Sequence, residues 1–87
     1  MTEESVFEFP CDFPIKVVGR AESGFESLVA ELVAAHAAKP DADRINGRLS
    51  RDGNFISVTV TIVAESRAQL DAIYEALSGH ERVMMVL

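Results

Sequence analysis

Eighty-seven residues, 48% apolar and 25% charged, describe one small globular domain with a thin core, and the composition excludes a chain that is disordered throughout. The formal charge of −6 works against nucleic acid and anionic membrane surfaces as partners. A single cysteine, Cys11, excludes an intrachain disulfide and fits a reducing compartment.

The chain opens on an acidic arm, residues 1–12, where Glu3, Glu4, Glu8 and Asp12 stand without a base. Phe7 and Phe9 are expected to lay that arm against the body, which is a single domain over 13–87. The remaining ten acids and all eight bases lie in that body, so it is close to charge balance. The N-terminus has no apolar stretch of the kind that directs secretion, and no apolar run nears the ~20 residues that span a bilayer. A cytoplasmic protein with no membrane partner is the expectation.

Phe13-Pro-Ile-Lys-Val-Val-Gly19 reads as a first strand, with Pro14 near its start, where a missing N–H is tolerated. A helix follows. Ser23 with Glu26 is a capping-box pattern, and Phe25, Leu28, Val29, Leu32, Val33 and His36 form one apolar stripe. Lys39-Pro40 is expected to end that helix.

Two turn dipeptides compete next, Asn46-Gly47 and Asp52-Gly53. Only Asp52-Gly53 has a strand-like run on each side (44–51 and 54–63), so the hairpin is placed there and Asn46-Gly47 becomes a bulge or the start of a strand. Ser57-Val-Thr-Val-Thr-Ile62 alternates without a break, the period of a strand with one dry and one wet face. Ser66 and Gln69 cap a second helix that buries Leu70, Ile73, Tyr74 and Leu77 and stops at Gly79. Residues 82–87 make a last strand.

The succession β-α-β-β-α-β predicts an α+β, ferredoxin-like split βαβ fold with sheet order 4-1-3-2. Both helices are expected on one face. The other face would be open, showing Ser57, Thr59 and Thr61, with Lys16 and Val18 from the first strand and Met84 and Val86 from the last.

The residues so ordered resemble a family of small bacterial proteins of unknown function typified by YbeD. The likeness spans the chain: Phe9-Pro10 with Phe13, Ile15-Lys-Val-Val-Gly19, the hairpin Ser50-Arg-Asp-Gly-Asn-Phe-Ile-Ser-Val-Thr-Val60, Tyr74-Glu75 with Leu77, and Val83-Met-Met-Val-Leu87. Phe55 stands where tyrosine is more usual in that family. The resemblance implies a fold close to the ACT regulatory domain, and a label as a regulator connected with lipoate metabolism.

In ACT domains the first strand-to-helix loop contacts a small effector. Gly19, Arg20, Glu22, Ser23 and Gly24 are the corresponding residues here. Glycines let a ligand approach the backbone, and free N–H groups at a helix start attract a carboxylate. The usual acidic residue is Ala21 and the usual proline is Ser23, which the capping box already explains. A plain connecting loop is the simpler reading.

Arg44, Arg48 and Arg51 crowd the edge strand, Arg44 and Arg48 on one face. They read as a patch for phosphate, RNA or an acidic partner, or as charges that discourage strand pairing. The second reading is simpler, because a sheet that binds RNA needs stacking aromatics where this one shows hydroxyls. The open face, with Lys16, Ser57, Thr59, Thr61 and Met84, suits a protein partner or a second copy.

His36 reads as a helix-end residue and His80 as a turn residue. With one cysteine and no close ligand pair, neither metal nor cofactor is expected. Cys11 has no histidine nearby in sequence to activate it. Acylphosphatases share the topology, but their glycine-rich anion loop with its arginine is not visible. The expectation is a non-enzymatic regulatory or adaptor protein that self-associates or binds another protein. The alternatives are a sensor of an amino acid or related carboxylate, and a weak RNA binder.

Overall fold

The alternating run Ser57–Ile62 lies inside a ten-residue strand, β3 (Phe55–Ala64). Its partner is an equally long strand, β1 (Cys11–Arg20), antiparallel along its whole length from Cys11 opposite Ala64 to Arg20 opposite Phe55. The computed structural model describes residues 8–87. Helix α1 (Phe25–Ala34), a 3₁₀ turn (Ala42–Arg44), β2 (Ile45–Leu49), α2 (Arg67–Ser78) and β4 (Val83–Val86) complete the chain. The sheet runs β2-β3-β1-β4, the order the succession of elements predicts.

Register decides which residues go inside. Ile15 faces Val60 and Val17 faces Val58, and all four are fully buried. With Ile62 and Ala64 they meet Phe25, Val29 and Val33 of α1 and Leu70, Ile73 and Leu77 of α2 in one core cluster. Both helices therefore lie on this side of the sheet. Each large apolar side chain withdrawn from water contributes about 1.5–3 kcal/mol. No polar or charged residue is buried among the described residues. Phe9 packs against this core, as the reading of the arm expects; Phe7, Glu3 and Glu4 lie outside the described residues.

The hairpin sits where Asp52-Gly53 placed it. Ser50 Oγ meets the Asp52 carboxylate at 2.6 Å and accepts from Phe55 N–H at 3.0 Å, while Asn54 N–H donates to Asp52. Gly53 takes the left-handed φ of +78° that this turn needs. The Ser50 hydrogen bond, then the Asn54 N–H, holds the Asp52 carboxyl below its ordinary pKa. Asn46-Gly47 lies within β2 and its register with β3 runs through without a break, so no bulge forms there.

Four further expectations are corrected. First, β1 begins two residues before the expected strand, with Asp12 opposite Val63. Second, Ser23 does not cap α1. The cap position is Gly24, in the left-handed region at φ +82°, and no side chain bonds the helix start. This later start moves Glu26 off the position from which a capping box closes.

Third, α1 ends at Ala34, not at Lys39. His36 N–H closes a tight turn onto Val33 O at 3.0 Å, and the Gln69 side chain donates to His36 O at 3.0 Å, which holds the chain at the start of α2. His36 is exposed.

Fourth, β4 is Val83–Val86 and carries a register shift: Met85 faces Val18, yet Val83 faces Gly19. Met84 is the extra residue of a bulge. That shift reverses the expected facing: Val86 packs against the core and Met85 takes the open side. Helix α2 starts and stops as expected and buries Leu70, Ile73 and Leu77, but Tyr74 is only half-buried. Ser66 Oγ accepts from Gln69 N–H at 3.1 Å, Gln69 Oε1 accepts from Glu65 N–H at 2.6 Å, and Gly79 follows its last residue.

Candidate functional site

The sheet face away from the helices is built by the residues that alternate with the core. Across its middle lies the row Asn46, Thr59, Lys16, Leu87; beside it lies Arg48, Ser57, Val18, Met85. Thr61 opposite Pro14 and Val63 opposite Asp12 extend it toward one end, and Phe55 opposite Arg20 toward the other. Lys16, Ser57, Thr59 and Thr61 thus stand together, as expected. The three hydroxyl residues are half-buried, and Lys16 and Pro14 are exposed. Among the described residues Phe55 gives this face one ring, short of the two or three that an RNA platform stacks on bases.

Large apolar side chains gather toward the β4 border of the same face. Met85 is 52% and Leu87 60% exposed, and Met84, at the bulge, is 58% exposed. Met84 is therefore a border residue and does not belong to the middle of the face. By sequence Met84 and Met85 both suit an adaptable contact, with one of the two expected in the core by alternation; Leu87 is not singled out, and the bulge that leaves both methionines exposed has no local signature. Tyr74, whose hydroxyl pKa burial raises, stays neutral and donates to Leu87 O at 3.4 Å.

The edge-strand arginines form a line along the border. Arg44 lies in the 3₁₀ turn before β2, and its guanidinium grips both oxygens of Asp12 at 3.1 and 3.3 Å. Arg48 is in β2 opposite Ser57. Arg51 is exposed in the hairpin turn. A strand of five residues, roughly 17 Å long, separates the outer two.

The loop from Gly19 to Gly24 is occupied by the chain itself. A Cβ on Gly19 would stand 2.5 Å from the Phe25 ring and 2.7 Å from Arg82 O. Arg82 lies over that ring, 5.9 Å from its centre, donates to Ser23 O at 3.1 Å and pairs with Glu22 at 3.5 Å. Beside this cluster is a cleft of about 270 Å³ lined by Arg20, Glu22, Glu81, Arg82 and Met84. Gly19 is buried, whereas Arg20, Glu22, Ser23 and Gly24 are exposed.

A larger, open depression of about 540 Å³ lies along α1 between Ser27 and Lys39, and Ala30, Ala34 and Ala35 form half of its lining. Among the described residues no group of three or more His, Cys, Asp or Glu side chains is placed to hold a metal ion. Cys11 is half-buried opposite Ala64 and packs against the core. No helix of the described residues is long and apolar enough to cross a membrane.

Glu26 is the residue that sequence reading misplaced most. Its carboxylate fills the space over Gly47 of β2 where a side chain would otherwise stand. A charge thus lies on the edge strand from the helix side.

The sequence matches the family described as "Protein of unknown function (DUF493)" over residues 4–87. It is 47% identical over 87 residues to the UPF0250 protein NE1487 of Nitrosomonas europaea, covering the whole of both chains. With a UPF0250 protein of Paraburkholderia phytofirmans it shares 48% over 84 residues, 97% of this chain and 94% of the relative. The solution structure of protein HP0495 from H. pylori superposes with a TM-score of 0.72 at 18% identity, over 100% of this chain and 94% of that one. That likeness shows the fold.

Proposed function

This chain belongs to the DUF493, or UPF0250, family of small bacterial proteins, as its resemblance to YbeD implied, and on that footing we propose that it is a non-enzymatic regulatory or adaptor protein. It acts by associating with another protein through the open face of its sheet. One observation carries this reading. Both helices lie on the opposite side, and Pro14, Lys16, Val63, Met85 and Leu87 stand exposed on a broad surface that mixes hydroxyl, apolar and basic groups. Such a surface suits a polar-rimmed protein contact.

The test is affinity capture from the native cell with the wild-type chain and with Thr59→Arg, which adds bulk and charge at the centre of the face. A protein held by the wild type and lost with Thr59→Arg is the expected outcome. Recovery of the same proteins with both baits overturns the reading.

A second reading has its own observation. The cleft beside the Gly19–Gly24 loop presents two guanidinium groups, Arg20 and Arg82, and two carboxylates, Glu22 and Glu81. That balance suits a zwitterionic amino acid better than a simple anion, with its carboxylate on Arg20 and its ammonium on Glu81. This is the ACT-like sensor reading. A thermal-shift screen with amino acids, lipoate and octanoate tests it: ligand at 100-fold its dissociation constant adds about 2.7 kcal/mol. No shift with any compound removes it.

A further inference from the structure

The two borders of the sheet differ in what their backbone offers. Among the described residues β4 is paired on one side only, to β1. Leu87 N–H donates to Lys16 O at 2.8 Å and Lys16 N–H to Leu87 O at 3.2 Å, so these two residues form a hydrogen-bonded pair. In an antiparallel ladder the next pair, Val17 and Val86, is then of the other kind, and the N–H and C=O of Val86 point outward, away from β1. No side chain from Val83 to Leu87 is charged, and Met84, Met85 and Leu87 are all more than half exposed. Charge, proline or cover normally protects such a border, and among the described residues none of the three does so here.

At the β2 border the outward groups belong to Ile45, Gly47 and Leu49, by the same alternation, and at Gly47 the Glu26 carboxylate lies directly over the strand. Pairing β2 with a second β2 about Gly47 would bring two such carboxylates together beside the axis.

We propose that the β4 border pairs antiparallel with the β4 border of a second copy, about a two-fold axis at Val86. The outward N–H of each Val86 then meets the C=O of the other. Met85 of each copy faces Leu87 of its mate, and both of these lie on the open face. Val86 faces Val86 on the helix side. Strand, register and facing are thus self-complementary, no like charges meet, and two four-stranded sheets become one. The bulge at Met84 limits the regular pairing to 85–87. The contact is therefore short, and the dimer is of the weak, reversible class. The inference deepens the association reading above and rests on it in treating this side of the sheet as a contact surface, yet it concerns the border and not Thr59.

Sedimentation equilibrium of the full chain, from micromolar to several hundred micromolar, tests it. The wild type is expected to pass from monomer to dimer. Met85→Lys abolishes the dimer, because it sets a charge against Leu87 of the mate. Met85→Lys with Leu87→Glu restores it, because each new base faces a new acid across the axis. Both positions are exposed, and circular dichroism confirms that the variants fold. Should Met85→Lys unfold the chain, Leu87→Glu alone is expected to abolish the dimer equally. Leu49→Pro, which removes an outward N–H from the β2 border, leaves the dimer intact.

A wild type that stays monomeric throughout overturns the proposal. So does a dimer that ignores Met85→Lys, or one that Leu49→Pro breaks. A monomeric wild type that still captures a different protein, lost with Thr59→Arg, leaves the association reading standing and removes only the second copy.

Discussion

The halves β1-α1-β2 and β3-α2-β4 are each a strand, a helix and a border strand, and each helix is preceded by Ser-x-x-Glu or Ser-x-x-Gln. In the second half that pattern does what it does in isolated helices: Ser66 and Gln69 bond the free N–H groups of Gln69 and Glu65. In the first half Gly24 starts the helix one residue later, Ser23 bonds no helix N–H, and Glu26 lies over Gly47. The same residue class at the same spacing thus caps one helix and shields a strand at the other. The half with the capped helix is the half whose border strand is left apolar and unshielded. A motif fixes only which groups are near one another; the first helical residue decides where the acid or amide points.

Substitutions at matched positions can break or sharpen this contrast. The largest effect is expected at Gly19, where a Cβ meets the Phe25 ring and the Arg82 carbonyl, neither able to withdraw cheaply. Gly19→Ala should cost about 3 kcal/mol in urea unfolding, by overpacking. The glycine of the other border is different, since a Cβ on Gly47 meets first an exposed glutamate that can swing away. Gly47→Ala should lie within about 0.5 kcal/mol of wild type, and a cost as large as that at Gly19 would mean that Glu26 is fixed in place.

Between these lie the two serines. Ser66→Ala should lose about 1 kcal/mol by urea unfolding, the usual worth of an N-cap. Ser23→Ala should change stability by less than about 0.5 kcal/mol, because it bonds no helix N–H. Equal effects at the two serines would erase the distinction.

The smallest effect concerns the hairpin that joins the halves. Asp52 is held below its ordinary pKa by the Ser50 hydroxyl and then the Asn54 N–H. Its contribution is therefore present above the unfolded-state pKa and is lost as pH falls through the lower, folded value. Following the Asp52 carboxyl carbon by NMR during acid titration should show a midpoint below that of an unstructured aspartate. Ser50→Ala should move that midpoint back up; an unmoved midpoint would mean that the hydroxyl does not hold the carboxylate.

What could be read in advance followed from periodicity and connectivity. The alternation from Ser57 to Ile62, the Asp52-Gly53 turn and the succession of elements are local or topological, so the sheet order and the facing of β1 and β3 could be read. What could not be read depended on contacts distant in sequence. Helix α1 stops at Ala34, and the Gln69 side chain holds the His36 carbonyl just beyond it from across the fold; nothing between Ala34 and Lys39 signals that end.

The candidate face was half legible. Lys16, Ser57, Thr59 and Thr61 sit on it as their parity requires. Met84 does not, because the bulge reverses alternation in β4, and Met-Met-Val is equally suited to either facing. The bulge lies opposite Gly19, the position that Phe25 and the Arg82 backbone crowd. No inspection of residues 82–87 alone would place it. Glu26 was invisible for the same kind of reason: its spacing from Ser23 is right for a cap, and only the packed β2 shows otherwise.

The Gln69 amide has a consequence for how the molecule breathes. One side chain bonds the residue that leads into α2 and also the residue just past the end of α1, so neither helix can fray at that end without disturbing the other. Native-state hydrogen exchange should therefore find the last turn of α1 and the first turn of α2 opening at one common free energy, as a single cooperative unit that spans both halves.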